Sequence, residues 1–188
     1  MTTWLTSDWH LFHENIIKLS LRPFTSIEHM HYVLLENYRA CVKDEDVVYF
    51  LGDLTLRSPK QLLGVRSIVS RMPGRKHYIV GNHDRFKIDS YLKMGFESVH
   101  SSLWRETGRR TVFMVHDPDD APERAPLVIC GHVHEKWRTR REPVPTVNVG
   151  VDQWGFRPAE MHAVLLLLLQ LEGEVDGSDN TTGQEPQP

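Results

Sequence analysis

Asp8 and His10 stand two residues apart, directly after the apolar stretch Thr2–Thr6. Asp53 follows Gly52 at the end of Val-Val-Tyr-Phe-Leu, and Gly81-Asn82-His83-Asp84 follows His-Tyr-Ile-Val. His116 closes Thr-Val-Phe-Met-Val, and Gly131-His132-Val133-His134 follows Leu-Val-Ile-Cys. In each block a polar or ionisable residue comes at once after a run that reads as a buried strand. Ligand sites form at such strand ends in open α/β sheets. If the ends converge, Asp8, His10, Asp53, Asn82, His116, His132 and His134 share one space. Packing imidazoles and carboxylates together costs desolvation energy unless a cation joins them. With no cysteine in the set, a closed thiolate zinc site is excluded. Imidazole mixed with oxygen suits manganese, iron, zinc, cobalt or nickel better than calcium or magnesium. Seven ligands are too many for one ion but fit two that share a bridging carboxylate, the clamp for in-line attack at phosphorus. A water shared by both ions becomes hydroxide near neutral pH. His83 is then left over, and a ring beside the cluster can protonate the departing alkoxide as general acid. Asp84, its neighbour, could hold that ring in its working tautomer.

The five blocks in this order resemble the calcineurin-like metallophosphoesterase superfamily, whose motifs run DxH, GD, GNH(D/E), H and GHxH. The resemblance extends from Asp8 to His134 and on through Asn148-Val149-Gly150-Val151-Asp152. This last stretch and the opening Asp-Trp-His-Leu-Phe-His-Glu-Asn-Ile-Ile, followed by Arg22-Pro23-Phe24, are similar to a small bacterial and phage-type subgroup. The resemblance implies an α/β (α+β) fold, a four-layer αββα sandwich of two mixed sheets flanked by helices. It also implies that Asp8, His10 and His134 bind one ion, that Asn82, His116 and His132 bind the other, that Asp53 bridges, and that His83 is the acid. Manganese is the first choice among the metals. The departures are Trp9, Leu11 and Phe12 in place of smaller residues, and an Asp after His116 where relatives often carry an aromatic. They bear on substrate shape.

Around these blocks, periodicity supplies the scaffold. Thr2–Thr6, Asp46–Leu51, His77–Val80, Thr111–Val115, Leu127–Cys130, Thr146–Val149 and Ala163–Leu171 read as strands. Glu14–Leu19 reads as a short helix. Ser26 can cap a longer one running to about Val42, with Ile27, Met30, Val33, Leu34 and Tyr38 on one face. Ser58-Pro59 opens a helix to about Arg71, and Lys87–Met94 forms another. Helices alternate with the early strands, which predicts a parallel, doubly covered sheet first and a more antiparallel finish. Residues 1–171 read as one domain, and 172–188, acidic and polar with almost no apolar side chains, as a disordered tail.

Several basic residues have two readings. Arg22 could grip a substrate phosphate in a two-pronged fashion or be a surface residue at a helix end. His13 could line the pocket or face solvent. Lys136, Arg138, Arg140 and Arg141, with Trp137 among them, could steer an anionic substrate or form a solvated loop. The remaining histidines, His29, His31, His77, His100 and His162, read as surface or satisfied core residues. A net charge of −3 gives no overall pull toward nucleic acid or anionic membranes. No stable nucleic-acid complex is therefore expected; the small chain, with little to insert over the metals, and the basic loop suggest a small phosphate-ester partner that could be a nucleotide. No signal peptide is read at the N-terminus, and the longest apolar run, Val164 to Leu169, falls well short of the roughly twenty residues of a membrane span. Cys41 and Cys130 read as buried, reduced thiols, and the expected location is cytoplasmic. Small-diester hydrolysis is the leading expectation. Phosphomonoester or phosphoprotein hydrolysis, a nuclease on longer strands, against which the net charge argues, and a non-catalytic scaffold are the alternatives.

Overall fold

The structure, a computed structural model, describes residues 1–56, 59–84, 86–108 and 110–176. The first sheet holds β1 (Thr3–Thr6), β2 (Val47–Leu51), β3 (Arg75–Ile79) and β4 (Phe96–His100), all parallel and side by side, with β10 (Ala159–Glu160) antiparallel on the outer edge of β1. The connections are helical: α1 (Ile16–Leu19) and α2 (Ile27–Cys41) join β1 to β2, α3 (Leu62–Val69) joins β2 to β3, and α4 (Ile88–Met94) joins β3 to β4. Ser26 caps α2 as expected, its hydroxyl accepting from the His29 N–H at 3.1 Å. Met30, Leu34 and Tyr38 then recur every fourth residue and pack against Phe50 and Tyr78 of the sheet. All five residues of β2 are buried, because it is an inner strand covered on both faces.

The second sheet runs β5 (Ser102–Thr107), β6 (Arg110–Val115), β7 (Val128–Cys130), β9 (Thr146–Asn148), β8 (Thr139–Arg140). Leu5, Tyr49, Leu51 and Ile79 of the first sheet meet Val112, Met114, Ile129 and Val147 of the second in a shared apolar core. The two mixed sheets with flanking helices are the architecture that the motifs imply.

Three expectations are corrected. Ala163–Leu171 is not a strand but lies inside α5 (Met161–Asp176), which continues into the first residues assigned to the tail. Its Leu run is apolar at every position, so periodicity cannot decide. Leucine is a better helix former than the β-branched residues of true strands, and the buried set Met161, Val164 and Leu168 has helical spacing. The second sheet is also less antiparallel than expected: β6, β7 and β9 are parallel to one another, joined by crossovers built of loops and a short 3-10 turn at Pro118–Asp120. Such crossovers carry no helical periodicity, so the later strands read as following one another directly. Finally, the helix expected from Ser58 starts with a 3-10 turn at Pro59–Gln61 and becomes α-helical only at Leu62. Ser58 itself and residues 177–188 of the expected tail lie outside the described residues. Strands β4, β5, β8 and β10 were not anticipated: all four are outer strands, β4 and β5 with half-exposed polar residues that dilute the apolar pattern and β8 and β10 only two residues long.

Candidate metal centre

The five blocks converge at the carboxyl ends of the parallel strands. The loop after β1 runs beside the loop after β2, with the Asp8, His10 and Leu11 N–H groups donating to the Gly52, Asp53 and Leu54 carbonyls at 3.1, 3.0 and 2.8 Å. The loop after β7 docks on the same place through the His132 N–H, which donates to Asp8 Oδ2 at 3.0 Å. Eight described non-glycine residues have positive φ, and five of them are Asp8, His10, Asp53, His132 and His134. Left-handed backbone at non-glycine residues is uncommon and tends to collect at functional sites, where surrounding contacts hold it. Here the Asp-x-His and His-x-His segments each place residues i and i+2 in that conformation, turning both side chains off the strand ends into one space.

Two overlapping groups result. Asp8, His10 and His134 form one, and Asp8, Asp53 and His116 the other, with ligating atoms within 4.8 Å of one another in each. The His10 and His134 Nε2 atoms face each other at 3.3 Å. Asp53 Oδ2 lies 3.6 Å from His10 Nε2 and 3.3 Å from His116 Nε2, so it looks toward both groups. Asn82 Oδ1 sits 2.9 Å from His116 Nε2 and 3.0 Å from His132 Nδ1. His83 borders the cluster: its N–H donates to Asp53 Oδ1 at 3.0 Å, while its half-exposed ring keeps Nε2 4.0 Å from Asp53 Oδ2.

The donor chemistry fits metal cations. His116 Nδ1 donates to the Leu51 carbonyl at 2.7 Å, which in the neutral ring leaves an Nε2 lone pair aimed at the Asn82 and Asp53 oxygens. Lone pair facing lone pair is repulsive until a proton or a metal ion sits between them. Asp53 Oδ2 is buried and accepts no hydrogen bond. Burial raises the pKa of Asp8 against the pull of His116 and His134. Burial would also raise Asp53, but the His116 and His10 rings and the His83 N–H hold it at about 2. Despite burial, the Asp53 and Asp8 carboxylates lift His116 to about 9. Positive charge is thus favoured at the position where all these atoms point.

Three of the candidate imidazoles have an outer partner. His116 has the Leu51 carbonyl, His134 has Ser20 Oγ and Asp152 Oδ2 at 3.3 and 3.6 Å from its Nδ1, and His132 has Asp117 Oδ2 at 3.4 Å from its Nε2. Such partners fix which ring nitrogen remains available to a metal. The roles of Asp117, Ser20 and Asp152 escaped the sequence reading. Asp117 was visible only as the acid replacing an aromatic after His116, and Asp152 only as the last residue of Asn-Val-Gly-Val-Asp.

Other expectations are corrected. Arg22 does not reach the substrate space. Its side chain is wholly buried and forks onto Asp152, with Nε to Oδ1 and Nη2 to Oδ2 both at 2.8 Å. Asp84 does not touch the His83 ring. Its Oδ2 accepts from the Asp53 N–H, the Gly81 N–H and the Tyr78 hydroxyl at 2.8, 2.8 and 2.6 Å, because the turn after β3 points it back into the fold. Burial lifts the Asp84 carboxyl to about 6. Trp9 belongs to the core, edge-on to Tyr38 and with Nε1 donating to Thr6 Oγ1 at 2.9 Å. Two cations of the basic stretch stack on the chain's own rings, Arg138 on Trp154 and Arg140 on Trp137 at 4.9 and 5.1 Å. His13 does flank the cluster, its ring 5.6 Å from that of His10 and its Nδ1 buried without a partner.

Gly131 has no room for a side chain. A Cβ there would press on Ser7 Oγ and fall 2.6 Å from Asp8 Oδ2. Gly131→Ala is expected to cost about 1–3 kcal/mol through overpacking and to displace Asp8. Chemical denaturation of the metal-free protein and a metal-uptake titration check the two halves of that statement. Unchanged stability and uptake would mean that the loop shifts freely.

Residues 1–169 match the family model described as the calcineurin-like phosphoesterase superfamily domain. An uncharacterized protein of Methanocaldococcus jannaschii is 29% identical over 171 residues, covering 88% of this chain and 90% of that protein. The gene 66 protein of Mycobacterium phage L5 is 26% identical, over 81% of this chain and 87% of that protein. Among solved structures, a protein of unknown function from Aquifex aeolicus superposes with a TM-score of 0.70 at 27% identity, over 88% of this chain and 98% of that one.

Proposed function

The chain belongs to the calcineurin-like phosphoesterase superfamily, and on that premise we propose that it is a two-metal phosphodiesterase acting on small or cyclic nucleotide-like diesters. Membership carries divalent-metal-dependent phosphoester hydrolysis with it. The observation that best supports the two-ion form is Asp53 Oδ2, buried, without a hydrogen-bond donor, and facing His10 on one side and His116 on the other. In this reading Asp8, His10 and His134 hold one ion, and Asn82, His116 and His132 the other. Asp53 is common to both, and manganese is the first metal to try. The ions would supply Lewis-acid activation of water and neutralise phosphate oxygens. His83, half-exposed at the rim, donates a proton to the leaving alkoxide. Asp84 acts at one remove, fixing the backbone of Asp53 and Gly81. His13 lines the side next to His10.

The surroundings of Asn82 and His116 support the diester. A depression of about 260 Å3 beside them, lined also by Ser101, Asp117 and Asp120, leaves space for a second ester substituent. Its two carboxylates repel a dianionic monoester more than a monoanionic diester. Cys41 and Cys130 are both free thiols, which fits a cytoplasmic setting, although Cys41 is only half-buried rather than buried as expected. No described helix is long and apolar enough to cross a membrane.

The test is turnover of bis-p-nitrophenyl phosphate against p-nitrophenyl phosphate, with manganese present and single-stranded DNA as a third substrate. The diester is expected to be cleaved fastest. Preference for the monoester would make the protein a phosphomonoesterase, and preference for DNA a nuclease. Metal uptake without turnover of any phosphoester would favour a scaffold.

A further inference from the structure

The phosphoester reading leaves unused a buried network that joins four separate parts of the chain. Asp152 lies in the 3-10 turn Val151–Gln153 that follows β9, and its side chain is only 3% exposed. Arg22 grips both of its oxygens. The same guanidinium donates from Nη2 to the Asp8 carbonyl at 2.7 Å and from Nη1 to the Trp9 carbonyl at 3.2 Å. It therefore ties Asp152 to the backbone of the Asp8–His10 loop, where both candidate ligands have positive φ. On its other side, Asp152 Oδ2 faces His134 Nδ1 at 3.6 Å, and Ser20 Oγ, from the end of α1, approaches the same nitrogen at 3.3 Å.

These contacts have a direction. An ionised carboxylate only accepts, so Asp152 on the Nδ1 side favours the tautomer of the neutral His134 ring with its proton there, and the Ser20 hydroxyl can accept from that same proton. The ring's Nε2 lone pair then points at His10 Nε2 and toward Asp8 Oδ1, at 3.3 and 3.8 Å. The second half of the centre has its own supports, Leu51 for His116 and Asp117 for His132, and neither involves Asp152. We propose that Asp152, locked by Arg22, is a positioning residue for one half of the centre, setting the His134 tautomer and the Asp8–His10 loop for the ion they hold. The inference rests on the two-ion reading. It goes beyond it in making the two ions separable, because a partner of this kind is worth about 10–100-fold in metal affinity and the ring it orients, His134, belongs to only one of the two groups.

The test is manganese titration of the full chain, wild type and Asp152→Asn, with bound ions counted by electron paramagnetic resonance. The wild type is expected to take up two spin-coupled ions. The variant, nearly isosteric, is expected to keep one with wild-type affinity and to bind the other about 10–100-fold more weakly, giving an uncoupled signal at low manganese. Wild-type affinity for both ions in the variant would overturn the inference. So would equal weakening of both, which is what a merely structural role predicts. A wild type that takes up fewer than two ions would overturn the two-ion reading, and the inference would fall with it. If the variant does not fold, long-range 15N spectra of the zinc-loaded wild type decide: a proton on His134 Nδ1 supports the inference, and one on Nε2 overturns it.

Discussion

Replacing His83 by Ala is expected to lower kcat by about 10²–10⁴-fold on a diester with an alkyl leaving group and to leave metal uptake intact. The geometry separates the two effects. What His83 contributes to the cluster is its backbone N–H, which donates to Asp53 Oδ1 at 3.0 Å and which alanine retains. Its ring belongs to neither ligand group and remains 46% exposed, free to meet a substrate at the rim. An alkoxide is a poor leaving group until it is protonated, whereas p-nitrophenolate departs without help. The loss is therefore expected to be large with the alkyl ester and small with bis-p-nitrophenyl phosphate. Equal losses on both substrates would remove His83 from proton transfer and make it a binding residue. Loss of metal along with activity would make it a ligand.

The candidate centre was more legible in the sequence than its supports. Asp8, Asp53, Asn82, His116 and His132 each follow a run of buried strand residues, and a strand that ends at a sheet's carboxyl edge has nowhere else to put the next side chain. The supports are set by tertiary packing. Arg22 and Asp152 are 130 positions apart and meet only because the chain returns from β9 beneath the first loop. Asp84 adjoins His83 in sequence, yet its carboxylate turns inward to three donors from β3 and the neighbouring loops. Adjacency in sequence is no guide across a tight turn. The same holds for the fold. β2 could be read because it is apolar throughout, but the Leu run of α5 is equally apolar and forms a helix. Its assignment depends on which of its residues meet the inter-sheet core.

The Arg22–Asp152 pair also carries a stability prediction that is independent of any metal. Arg22→Met is expected to destabilise the metal-free protein by about 3–5 kcal/mol, the usual cost of leaving one partner of a buried ion pair alone. Two effects add. Asp152 keeps a charge in a space closed to water, with the His134 ring as its remaining ionisable neighbour among the described residues. The Asp8 and Trp9 carbonyls lose their donors as well. In the intact pair, burial would raise the Asp152 carboxyl, yet His134 and Arg22 hold it below the ordinary range. A chain of this length loses about 2–4 °C of Tm per kcal/mol, so the expected fall is on the order of 6–20 °C. The double variant Arg22→Met with Asp152→Leu should recover most of that loss, because two apolar residues bring no unpaired charge into the core. It should still fail to hold the His134 tautomer, so a protein with restored stability and one weakened ion is the combined expectation. If the double variant is no more stable than Arg22→Met, the cost lies in the unpaired Asp8 and Trp9 carbonyls. The guanidinium's main structural role is then to pin the first loop rather than to neutralise Asp152.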